Sequence, residues 1–384
     1  MPVFRLHSAQ YRDWGPIRVR TVALICLVAL LVQGCGQPER GATGDCPAGG
    51  VAIGFFGALT GDNAQLAINF RNGAELAVDA YRGRCAVEIV PFDSQGDPAQ
   101  APALAARAVR DERVVALIGP TYSGEMRVTG PLFQEAGLPL VTVATNAALS
   151  RNGWQVFHRI VANDAVQGQA AAAYLARTLR AERVAVVHDS SDYGLGIAEI
   201  VSSELGGSVF FADAIDPDAL DYSSTVNGLR GIAVDAIFYG GYYAEAGRLL
   251  KQLRDAGVTA TFVSDDAAKD PGLIEAAGQP AAEGALVTCP CAPAEQAFMV
   301  AYTQAFGEAP GTFSAEGYDA ANVLLAAIDA GSTGRESVSR FLDGVDHAGI
   351  TKRIAFDAQG EVADQRIFLY EVRGGEIIPV GPTG

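Results

Sequence analysis

Two hydroxyls, two tyrosines and a pair of carboxylates recur at one kind of place in this chain, the few residues just after a short β-branched run. Ser123 follows residues 114–118 in the loop Gly119-Pro120-Thr121-Tyr122-Ser123-Gly124, and Thr145 follows 140–143. Tyr193 follows 184–188, Tyr242 follows 236–239 across Gly240-Gly241, and Asp265-Asp266 follow 261–263. A hydroxyl at a helix start joins the free N–H groups there, which favour an anion such as a carboxylate. An aspartate accepts an ammonium group, and tyrosine faces clasp a small apolar body. Together the set suits a zwitterion. Singly, each has a plainer reading: a serine N-cap, solvated turn acids, interface tyrosines.

The elements that must hold these residues alternate. Strands are expected over residues 51–56, 87–92, 114–118, 140–143, 184–188, 209–212, 236–239, 261–263 and 285–288. Helices are expected over 64–81, 98–110, 164–179, 194–205 and 244–256, then 294–306 and 313–330 in succession, with extended segments at 354–356 and 367–372. Strand–helix alternation means parallel sheets with helices on both faces. So many strands, in a chain too long for one core, divide between two such α/β units. In doubly wound sheets ligands sit at the carboxyl ends of the strands, where the loops above lie.

The N-terminus predicts an address. Arg12, Arg18 and Arg20 precede an apolar core over residues 21–32, which runs into Gln33-Gly34-Cys35. This reads as a secretory signal (1–34) ending in a lipobox, too short to span a bilayer. Diacylated Cys35 is then the only membrane attachment, and 35–50, rich in Gly and Pro, is a tether. Loss of the signal, with four arginines and one aspartate, takes the formal charge from −16 to −19. So acidic a chain lacks the basic footprint of a nucleic-acid partner. Cys46, Cys85, Cys289 and Cys291 remain, an even number in an oxidising compartment. Cys46 and Cys85 precede adjacent strands and are expected to pair, and Cys289–Cys291 would close a small ring. A metal at the Cys-Pro-Cys needs further ligands, and His158 and His188 are distant in sequence, so no metal or cofactor is expected.

The segments Val184-Ala-Val-Val-His-Asp-Ser-Ser-Asp-Tyr193-Gly194, Phe238-Tyr-Gly-Gly-Tyr242, Gly317-Tyr318-Asp319-Ala320 and Phe356-Asp-Ala-Gln-Gly360 resemble the periplasmic leucine/isoleucine/valine-binding proteins of ABC importers. The resemblance runs from about Val51 to Val372. It implies the type I periplasmic-binding-protein fold: two Rossmann-like lobes, 51–164 with 290–366 and 165–289 with 367–384, joined by three crossovers. It implies a branched-chain or other aliphatic amino acid in the cleft, ABC permease subunits as partners, an extracytoplasmic location, a monomer and no enzymatic activity. By the resemblance Ser123 and Thr145 take the ligand carboxylate. Tyr193 and Tyr242 line the cleft, Asp266 takes the ammonium (Asp265 if the loop slips by one), and Val143 contacts ligand through its backbone. Leu66 stands where an aromatic often closes the pocket, and Thr145 lacks the flanking prolines common in the family.

Other functions leave different marks. A serine hydrolase would need Ser123 in Gly-x-Ser-x-Gly, but Thr121 stands where that motif has its first glycine. His188 ends an apolar run, as a structural histidine does. A sensor of the same fold, or a binder of amides or aromatic acids, shares this sequence pattern.

Overall fold

The computed structural model describes residues 46–383. The expected signal, Cys35 and the tether up to residue 45 lie outside the described residues.

The first sheet consists of β1 (Val51–Gly57), β2 (Val87–Asp93), β3 (Val114–Ile118), β4 (Leu140–Thr142) and β5 (Phe157–Arg159), all parallel, in the order β2-β1-β3-β4-β5. β1 and β3 are buried throughout, as suits strands covered on both faces. Their side chains alternate. Ile53 and Phe55 join the core beneath α1 (Ala64–Ala80), while Ala52 and Phe56 face α2 (Ala101–Arg110) and α3 (Ser123–Glu135).

The chain then crosses to a second lobe. There β6 (Val184–His188), β7 (Val209–Ala214), β8 (Ala236–Gly240), β9 (Thr261–Ser264) and β10 (Leu286–Cys289) repeat the same winding, β7-β6-β8-β9-β10. α4 (Asp164–Ala173) and α5 (Asp192–Leu205) cover one face. α6 (Ser223–Arg230), α7 (Tyr243–Asp255), α8 (Pro271–Ala277) and α9 (Gln279–Ala282) cover the other. After β10 the chain returns to the first lobe as α10 (Gln296–Phe306), α11 (Ser314–Asp329), α12 (Arg335–Leu342) and a small hairpin of β11 (His347–Ala348) and β12 (Arg353–Ile354). It crosses a third time to add the antiparallel strands β13 (Phe368–Arg373) and β14 (Glu376–Pro382) to the second sheet.

The chain flanking the crossovers is tied within each lobe. Arg159, fully buried at the end of β5, donates to Glu361 Oε1 at 3.0 Å and to Asn146 O at 3.0 Å, joining the chain that enters the first crossover to the chain that enters the third. Gln167 Nε2, in α4, donates to Thr288 O and Oγ1 at 3.1 and 3.2 Å, joining the chain that leaves the first crossover to β10, which enters the second.

Several boundaries differ from expectation for local reasons. The helix expected from residue 98 starts at Ala101, because Asp97 Oδ1 accepts from Ala99 N and holds a turn there. The helix expected from 194 starts at Asp192, since Ser191 Oγ accepts from Gly194 N at 2.9 Å as its cap. The helix expected to 179 widens after Ala173 into a turn in which Leu179 N donates to Tyr174 O. β5 and β14 were not expected. β5 has only three residues, but β14 follows a hairpin at Gly374-Gly375, with φ of 63° and 86°, a readable turn signal. The structure joins Cys46 to Cys85 and Cys289 to Cys291, with Cα separations of 5.6 and 5.1 Å.

α1 and α11 meet backbone to backbone. A Cβ at Gly73 would lie 1.8 Å from Ser314 O, and one at Gly317 1.9 Å from Phe70 O. Gly73→Ala must push the helices apart, and such overpacking costs about 1–3 kcal/mol. Thermal unfolding followed by circular dichroism is expected to give a lower Tm; an unchanged Tm would show slack between the helices.

Candidate functional site

The carboxyl ends of the two sheets face each other, and every expected ligand-contact residue except Asp265 meets at one small void. Leu66 comes from α1, Ser123 from the start of α3, and Val143 and Thr145 from the loop after β4. Tyr193 comes from the start of α5, Tyr242 from the loop after β8, and Asp266 from the loop after β9. Thr121, Ala267 and Phe313 complete the wall. Asp265 turns away, its Oδ2 accepting from Gly241 N at 2.9 Å.

The polar groups divide by lobe. Ser123 and Thr145 belong to the first; both are buried, and Ser123 Oγ accepts from Asn146 N at 3.2 Å. From the second lobe Tyr193 donates its hydroxyl to Asp266 Oδ1 at 2.8 Å. Tyr242 packs between Tyr193 and Tyr122, with ring centroids 5.5 and 5.4 Å apart. Tyr122 and Tyr242 also line an outer cleft of about 1020 Å3 between the lobes, so this aromatic row stands between the void and the larger mouth.

The lobes are closed on each other. Arg127 pairs with Asp192 at 2.8 Å, Asn63 Nδ2 donates to Glu245 Oε2 at 3.0 Å, and Tyr243 donates its hydroxyl to Asp62 O at 2.7 Å. The void measures about 10 Å3, far below the roughly 300–1,000 Å3 of small-molecule clefts. Admission of a molecule larger than water therefore requires the lobes to part.

Burial shapes the electrostatics. It pushes the Asp266 carboxyl up to about 6, against the opposing hydrogen bond from Tyr193. Asp265 is pushed well up by burial and then by the charge of Asp266. Asp164, at the start of α4, is pushed up to about 8 by burial and then by Asp266, with the Thr145 hydroxyl and Arg159 opposing. A cation placed among these carboxylates would relieve their mutual repulsion.

The sequence reading did not single out Asp164, Thr121 or Phe313. Asn163-Asp164 looks like an ordinary helix start, and the Asn163 side chain does cap α4. Thr121 shares the loop of Ser123, so position could have found it. Phe313 reaches the void from a left-handed backbone, φ 64°, just before α11; no sequence signal marks that. As for a hydrolytic pairing, Ser123 Oγ accepts from Asn146 N, and His188 Nδ1 accepts from Ser190 N at 3.0 Å.

A family model described as periplasmic binding protein matches residues 50–376. The chain belongs to that family. The Leu/Ile/Val-binding protein of Escherichia coli (strain K12) is 32% identical over 249 residues, covering 62% of this chain and 67% of the relative. Two solved structures are similar throughout. The branched-chain amino acid transporter substrate binding protein LivJ of Streptococcus pneumoniae, in complex with isoleucine, has a TM-score of 0.81 at 25% identity, covering 87% of this chain and 100% of its own. The leucine binding protein LivK of Thermotoga maritima has a TM-score of 0.79 at 28% identity, covering 86% and 98%. The fold is that of the type I periplasmic binding proteins.

The raised carboxyls set the sign of the pH dependence. A carboxyl whose folded value lies above its unfolded value holds its proton better when folded. Its contribution is complete at low pH and declines as pH rises from the unfolded value to the folded one. For Asp266 that window runs from about 4 to about 6, and for Asp164 from about 4 to about 8. Ligand-stripped protein is expected to show a higher Tm at pH 5.5 than at pH 8, with the difference reduced in Asp164→Asn. Equal values in calorimetry would mean that these groups reach water.

Proposed function

We propose that this protein is the lipid-anchored, extracytoplasmic solute-binding component of an ABC importer, taking a branched-chain or other aliphatic amino acid between its lobes. The carrying observation is the convergence of hydroxyls from one lobe and a carboxylate from the other on one apolar-walled void. Ser123 and Thr145, with the N–H groups at the start of α3, receive the ligand carboxylate. Asp266 receives the ammonium, with Asp265 behind it. Val143 contributes its backbone, while Leu66, Tyr193 and Tyr242 clasp the side chain. The names of the relatives, which refer to leucine, isoleucine and valine, support this ligand class.

Binding then follows from closure. Burying an aliphatic side chain contributes roughly 1.5–3 kcal/mol, and each charge-assisted hydrogen bond roughly 1.5–3 kcal/mol. A ligand lacking the ammonium or the carboxylate leaves buried partners unmatched, which gives the selectivity. The two lobes, 51–164 with 290–366 and 165–289 with 367–384, act as rigid halves about the crossovers. A monomer presents the closed form to permease subunits. It binds and releases without catalysis, metal or cofactor, does not engage nucleic acid, and meets the membrane through acylated Cys35 alone.

Calorimetry on ligand-stripped protein against a panel of amino acids and amides tests the reading. Leucine, isoleucine or valine should bind, and Asp266→Ala should weaken binding about tenfold or more with the fold intact. Because a proton competes with the ammonium for Asp266, affinity should be about tenfold lower at pH 5 than at pH 7.5. Absence of binding to any amino acid removes the proposal; unchanged affinity in Asp266→Ala removes Asp266 from the site. Retention of the intact chain in the membrane fraction, lost in Cys35→Ser, tests the anchor independently.

A further inference from the structure

Phe313 also lines a second cavity, of about 260 Å3, at the crossovers. Its wall draws on three parts of the chain. The second lobe supplies Lys269, Tyr370 and Ile377, the second crossover supplies Cys291 to Ala294, and the first lobe supplies Met299, Pro310 and Glu316. Prolines at 293, 310 and 379 and the Cys289–Cys291 bridge stiffen this wall, which keeps the space from collapsing.

Two groups of opposite charge line the cavity without pairing. Lys269 Nζ lies 3.4 Å from Thr312 Oγ1 and 4.5 Å from the centre of the Tyr370 ring. Among the described residues no carboxylate oxygen comes within the 4.0 Å of an ion pair. Glu316 is 1% exposed, and its Oε1 has no hydrogen-bond partner. Buried polar groups are ordinarily matched, so the unpartnered Glu316 Oε1 on the same cavity as Lys269, which has no ion pair among the described residues, marks a place for a further partner. Their chemistry selects it. An amine would be repelled by Lys269. A carboxylate is attracted by Lys269, whose charged form burial opposes and Asp270 and Asp266 favour, and can accept from Glu316 in its protonated form, which burial favours and Lys352 and Lys269 oppose.

We infer that this cavity is a second binding site, for a small carboxylate with a short apolar tail, the carboxylate held by Lys269 and Glu316 and the tail against Met299, Pro293, Pro310 and Ile377. The site is separate from the interlobe void, with Phe313 as the shared wall. It does not depend on the identity of the interlobe ligand.

The test is a titration of 3-methylbutanoate into the protein, with and without saturating leucine, followed by amide NMR. Binding should persist in leucine and shift the amides of Cys291, Ala292, Phe313 and Glu316. Lys269→Met should weaken it about tenfold or more, and Met299→Trp, which fills the cavity without changing any charge, should do the same. Near-native spectra of both variants report that they fold. No shift of these amides in the unmodified protein overturns the proposal, as does undiminished binding in Lys269→Met. Shifts confined to the interlobe loops and abolished by leucine overturn it as well, because the probe then reads the interlobe site alone.

Discussion

The burial of Asp266 governs the design of this protein. A carboxylate taken from water is costly unless it is matched, and here burial outweighs the Tyr193 hydroxyl bonded to it, while Asp266 in turn pushes the Asp265 and Asp164 carboxyls up. Asp266 lies at the boundary of the two lobes, so it would regain water if they parted, and a cation beside it would relieve its burial while they are closed. The strands deliver the acid to a sheet end at the lobe boundary, and the Ser123 and Thr145 hydroxyls stand across the void from it.

Closure is held by contacts outside the void. Arg127–Asp192, Asn63–Glu245 and Tyr243–Asp62 link the two lobes. The first joins exposed and half-buried side chains, and ion pairs of this kind are individually weak; the other two bring the buried Glu245 and Tyr243 against the first lobe. The tyrosine row is different. Tyr122, Tyr242 and Tyr193 are buried or nearly so and pack across the boundary. That row separates a void of about 10 Å3 from a mouth of about 1020 Å3.

Much of this was legible in the sequence, for one reason. In a doubly wound sheet the strand ends are the site, so finding the strands finds the loops. Ser123, Thr145, Tyr193, Tyr242 and the pair Asp265-Asp266 were placed by that rule, and the choice of Asp266 within the pair, Leu66 and Val143 by resemblance. The rule fails where a residue reaches the site by another route. Phe313 does so through a left-handed turn before α11. Asp164 does so from the first crossover, where it also serves as an unremarkable start of a helix. Short pieces were lost too, since β5 has three residues, too few for a period to show. The close meeting of α1 and α11 was invisible, because the two glycines that permit it lie over two hundred residues apart.

The cross-tied hinge has a mechanical consequence. Three crossing segments, held side by side because their flanks are fastened within each lobe through Arg159–Glu361 and Gln167–Thr288, resist twist and shear far better than a lone linker, and leave bending as the soft mode. The distance between the outer rims of the lobes then reports what lies between them. A neighbour resting on both rims, never touching the contents, could gauge them by span, as a caliper does.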